Sequence, residues 1–151
     1  MTEDARFEDA DEGPLRLRAL DPDDLVVVSA ALQDAVFPVT EIVWQKSKRR
    51  FALLVNRFRW EAPGAERVQS LIAVEDAQSV RSQGFDASDK DLVLSLLAVE
   101  WAPGEDGAGR LTLVLAGDGA IEIAVEALEI TLRDVTRPYR AVSGKTPGHG
   151  E

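Results

Sequence analysis

Hydrophobic and polar positions alternate along most of this chain, with one helical interruption near its start. Leu15-Arg16-Leu17-Arg18-Ala19-Leu20 alternates in period two and predicts a short strand with one buried face. Asp21 then offers a helix cap, Pro22 suits a first turn, and Asp23 and Asp24 favour the positive helix end. Leu25, Val28, Leu32 and Val36 follow at spacings of three and four, which predicts a helix over 22–36, stopped by Pro38. Residues 41–46 and 50–61 read as two strands of a hairpin joined by the polar turn Ser47-Lys48-Arg49. Residues 68–75 and 79–85 predict two more strands, separated from the hairpin by Pro63-Gly64.

The second half is strand-like throughout. Ser88 and Asp91 resemble a capping box before the apolar run Leu92 to Val99, so a helix competes there with a buried strand. The strand is the simpler reading, because a helix would be apolar on every side. Residues 104–109 hold three glycines and two acids. With a strand rather than a helix after them, they predict a hairpin turn and not a phosphate loop. Leu111, Leu113 and Leu115 alternate, Gly117-Asp118-Gly119 turns the chain, and Ile121, Ile123 and Val125 alternate again. Leu128, Ile130 and Leu132 resume one residue out of phase, which predicts a β-bulge near Glu126-Ala127. Residues 1–14 carry six acids against Arg6 and read as a flexible acidic arm, and 140–151 read as a disordered tail.

The expected fold class is therefore α+β: an N-terminal helix packed on a mostly antiparallel, strongly twisted or barrel-like sheet of seven or eight strands. It occupies residues 15–139 as a single globular domain. A length of 151 residues suits one domain with a real core. A barrel of the pleckstrin-homology type is comparable in strand number, but it places its helix last.

Composition removes several chemistries. There is no Cys, and the single His, His149, follows Pro147-Gly148 in the tail. Thiolate catalysis, disulfides, Cys-based zinc sites and a histidine general base are thereby excluded or disfavoured. No catalytic motif and no cofactor motif is present. Asp86, Asp89 and Asp91 lack the spacing of a calcium loop, so no metal is expected. No apolar run approaches the ~18 residues of a membrane span, and the acidic N-terminus is unlike a secretory signal. The expectation is a cytoplasmic protein with no membrane association.

The net charge is 17 − 27 = −10, unevenly spread. Residues 45–60 hold Lys46, Lys48, Arg49, Arg50, Arg57 and Arg59 with no acid, and residues 100–134 hold eight acids against Arg110 and Arg133. On the long strand Ala52, Leu54, Phe58 and Trp60 share one parity and Arg57 and Arg59 the other, as a core face and a solvated face would.

The blocks Asn56-Arg57-Phe58-Arg59-Trp60-Glu61, Val80-Arg81-Ser82-Gln83-Gly84 and Glu126 through Val135 occur in order at compatible spacing. In them the chain resembles DUF2948, a small alphaproteobacterial family of unknown function, from about Leu15 to Tyr139. The resemblance implies a bacterial, cytoplasmic, single-domain protein, and it carries over no site residue.

The functional expectation is a non-catalytic protein-interaction module, a homodimer or a subunit of an assembly, acting through the basic hairpin. Arg57, Arg59 and Arg49, beside the aromatic Trp60, would be its contacts. Nucleic-acid or other anion binding by the same arginines and aromatics is the alternative, with Arg16, Arg18 and Arg81 able to widen the patch if their strands are neighbours. A third is a small-ligand or enzymatic site at Arg81 and Gln83, where a bidentate arginine would meet a carboxylate or phosphate.

Overall fold

A computed structural model describes residues 13–140. The acidic arm, but for its last two residues, and all but the first residue of the tail lie outside the described residues. β1 (Arg16–Ala19) leads into α1 (Pro22–Ala31), then β2 (Ala35–Pro38), a 3-10 turn at Val39–Glu41, and β3 (Ile42–Gln45). A second 3-10 turn, Lys46–Lys48, precedes β4 (Arg50–Phe58), β5 (Glu66–Val74), β6 (Ala77–Gln83) and β7 (Val93–Pro103). β8 (Gly109–Leu115), β9 (Gly119–Val125), β10 (Ile130–Asp134) and β11 (Tyr139–Arg140) complete the chain. The architecture is thus a mostly antiparallel sheet with one helix, as its alternation predicted, but with eleven strands rather than seven or eight.

Every strand pairing is antiparallel, in the order β1-β10-β5-β4-β2-β7-β8-β9-β6, with β3 added to β4 and β11 to β5. β5 lies third in that order and β6 last, yet only Glu75 and Asp76 separate them. Two residues reach about 7 Å, so the sheet must curl until its last strand lies against its first half. Ala77 N–H donates to the Arg49 carbonyl (2.9 Å) at that meeting, although the sheet does not close into a barrel. The concave side holds one core, including Leu17, Phe37, Phe51, Leu53, Ile72, Leu96, Leu113 and Ile123.

α1 begins as its sequence dictates. The Asp21 side chain accepts from Asp24 N–H (2.9 Å) and Pro22 opens the first turn. Leu25, Val28 and Ala31 are buried against the core and the helix packs on β1 and β7. It ends five residues earlier than expected. Asp34 takes a left-handed φ of 65° and donates its N–H to Leu96 O (2.8 Å), so β7 captures the backbone and Val36 joins β2.

The strand reading of the run Leu92 to Val99 holds, while two other expectations change. Ser88 caps no helix: its N–H and hydroxyl both donate to Asp86 Oδ1 in a turn, and the apolar run after it is β7. The phase slip at Glu126-Ala127 is a change of partner rather than a bulge. β9 pairs β8 and β6, whereas β10 crosses to β1 and β5. Finally, the buried parity of β4 is Phe51, Leu53, Val55 and Arg57, the opposite of the expected face.

Candidate functional site

Arg57 points into the protein and is 0% exposed. Its Nε donates to Ser70 Oγ (3.0 Å) and Asp134 Oδ1 (3.2 Å), Nη1 to Phe58 O (3.3 Å) and Glu61 Oε1 (2.9 Å). Nη2 donates to Glu61 Oε2 (2.7 Å) and to both Asp134 oxygens (3.0 and 3.2 Å). Burial pulls the guanidinium pKa down, but hydrogen bonding and attraction from Glu61 and Asp134 outweigh it and the value rises. Burial likewise pushes the Glu61 carboxyl up, and the Arg57 hydrogen bonds and charge more than reverse it, leaving it below the usual glutamate value. The cation holds the β4–β5 loop, through Glu61, to the end of β10, through Asp134. With its donors directed to protein acceptors, Arg57 is a clamp inside the fold.

The other hairpin residues are similarly engaged. Arg59 is nearly buried, bonded through Nη1 to Glu66 Oε1 (2.6 Å), with Nε 3.9 Å from Glu61 Oε2. It lines a small cleft with Asp134, Thr136 and Arg137. Trp60 donates Nε1–H to Gln33 O (3.0 Å) at the end of α1 and meets Phe58 edge-on at 4.8 Å. Arg49 pairs with Glu126, and Arg50 with Glu75 (2.9 Å). The expected solvated row of Arg57 and Arg59 is therefore corrected: their charges meet Glu61, Glu66 and Asp134 within the molecule. The basic and acidic blocks pair intramolecularly, at the exposed Arg49–Glu126 and at the buried Arg57–Asp134, so Arg57 itself is not a surface contact.

Arg81 and Gln83 lie on β6, the last strand of the sheet order, and both are exposed. Arg81 pairs with Glu122 across the β6–β9 ladder, and Gln83 reaches the same carboxylate (3.4 Å). Arg16 and Arg18 lie on β1 and Arg81 on β6, and neither strand is a ladder neighbour of the hairpin strands β3 and β4.

The surface that the sequence reading missed runs between α1 and β7. A groove of about 760 Å³ is lined by Leu25, Val26, Ala30, Leu97, Val99 and Trp101 among others. Val26 is 69% exposed. The signal was available: Leu25-Val26-Val27-Val28 places apolar side chains all round a helix that buries only one face. Trp101, which lines the groove, lies against Gly109 of β8, where an added Cβ would fall 2.5 Å from its ring, so the close approach requires glycine. Concave, mostly apolar surfaces with an exposed aliphatic and an indole are typical binding sites.

Among the described residues no group of three or more His, Asp or Glu gathers to hold a metal, and no helix is long and apolar enough to cross a membrane. A family model matches residues 15–149; its description is a protein of unknown function, DUF2948. No curated protein and no solved structure matches the chain.

Proposed function

The chain belongs to the DUF2948 family, and on that premise we propose that it is a non-catalytic protein-interaction module whose docking surface is the α1–β7 groove. The observation that carries the reading is the helix. Its inner face meets the core, while its outer face presents Val26 and Ala30 to solvent. Burying a valine side chain is worth about 1.5–3 kcal/mol, and a contiguous apolar groove adds to it.

The occupant we favour is a second copy of this chain. Ala30 is small and shares the outer face with Val26, so two α1 helices can approach closely across a two-fold axis, each laying Val26 into the groove of the other. Sedimentation velocity across a hundredfold concentration range tests this. The wild type is expected at twice 16.4 kDa, and Val26→Glu at the monomer mass with unchanged circular dichroism. A wild type that stays monomeric at the highest concentration, or a variant that dimerises equally well, would defeat the second-copy reading.

A further inference from the structure

A different feature lies at the opening edge of the sheet. β1 pairs β10 with Arg16 opposite Arg133 and Arg18 opposite Thr131. Leu17, Ala19, Ile130 and Leu132 turn to the core, so these four side chains share the outer face. Asp134 N–H donates to Leu15 O (3.0 Å), which makes the next pair, Arg16 and Arg133, a non-hydrogen-bonded one. Such pairs have the closer spacing, Cα atoms about 4.5 Å apart. Like charges placed directly opposite destabilise a sheet.

Among the described residues nothing relieves that repulsion. Among the described residues neither Arg16 nor Arg133 has a hydrogen-bond or ion-pair partner. Asp134, next to Arg133 in sequence, is turned inward to Arg57 (3.0 Å). Arg18 alone is paired, to Glu129 at 2.9 Å, which also holds its guanidinium in place. The four side chains border a recess of about 440 Å³, room for more than a single oxyanion.

We propose that this recess binds a phosphate monoester, with Arg16 and Arg133 clamping the phosphoryl oxygens from two sides. Thr131 donates its hydroxyl to a third oxygen, and Arg18, steadied by Glu129, borders the space for the esterified group. A dianion turns the opposed cations from a repulsive pair into a bidentate clamp. The site needs no part of the α1–β7 groove and stands whether or not that groove docks a partner.

The test follows the arginine Nε–Hε resonances of the full chain during titration with inorganic phosphate at constant ionic strength, with chloride as control. Parallel arms use glycerol phosphate and a phosphoserine peptide. Saturable shifts confined to Arg16, Arg18 and Arg133 are expected, with affinity falling at least tenfold in Arg16→Gln and in Arg133→Gln and unchanged in Arg110→Gln. Tenfold tighter binding in one ester arm would identify a small metabolite or a phosphorylated protein as the source. Both arginines are exposed, so the variants should fold, and Arg133→Gln should melt no lower than wild type in chloride. Shifts that do not saturate, that chloride reproduces, or that survive Arg133→Gln would overturn the assignment.

Discussion

Replacing Arg57 by Met would leave two carboxylates facing each other inside the protein. Glu61 and Asp134 have side chains only 1% and 3% exposed, and Arg57 is the cation that both contact within 3.0 Å. Removing one partner of a buried ion pair costs about 3–5 kcal/mol, mostly because the remaining charge stays buried. A domain has about 5–15 kcal/mol in total, so Arg57→Met should lose roughly a fifth or more of it. At about 2–4 °C per kcal/mol for a chain of this size, the melting temperature should fall by roughly 6–20 °C. The pH dependence carries the sharper signature. In the variant the burial of Glu61 is no longer offset by Arg57, so its folded pKa should rise, and the stability it contributes is then present in acid and lost as pH rises through that value. The wild type behaves oppositely at Glu61, whose pKa is depressed. Urea unfolding at pH 7 and pH 4.5, followed by tryptophan fluorescence, should therefore show the variant gaining relative stability at the lower pH. A triple variant, Arg57→Met with Glu61→Gln and Asp134→Asn, should recover part of the loss at pH 7. A loss below about 1 kcal/mol, or no change in pH slope, would mean that Arg57 acts as an ordinary surface arginine and refute the reasoning.

Three other outcomes follow from the same geometry. In the wild type, stability held by ionised Glu61 is fully present above its unfolded value of about 4.3 and is lost as pH falls through the lower folded value; Glu61→Gln should flatten that limb of an acid-unfolding profile. Gly109→Ala should displace the Trp101 ring, cost about 1–3 kcal/mol by overpacking, and shift its fluorescence to the red. Arg81→Gln removes an exposed cross-strand pair with Glu122 and should change chemical-denaturation stability by less than about 1 kcal/mol.

Local chemistry was legible before the fold was known. The Asp21-Pro22 helix start, the 104–109 turn and the alternation of 111–125 each depend on a few neighbouring residues, and each appears as expected. The β4 face was not legible, because both parities of that strand are largely apolar and only the arginines distinguished them. Placing arginine outward is the sound default, but the acids that draw Arg57 inward stand 4 and 77 residues away. The slip at Glu126-Ala127 failed for a related reason. A bulge and a change of strand partner leave the same mark on the hydrophobic phase, and only the non-local pairing of β10 separates them. Val26 was overlooked because the inward stripe of α1 explained the helix well enough without it.

The pairing of β1 with β10 also sets an order of events during synthesis. Leu15 meets Asp134 across 119 residues of chain. At 5–20 residues per second, the partner emerges roughly 6–24 s after the first strand does. Through that interval β5 lacks its β10 neighbour, the apolar side of β1 has no strand to lie on, and Arg57 waits with only one of its two carboxylates. A nascent chain arrested before residue 130 thus carries an open sheet edge and a half-neutralised buried cation. Such an open edge invites mispairing until β10 takes its place between β1 and β5.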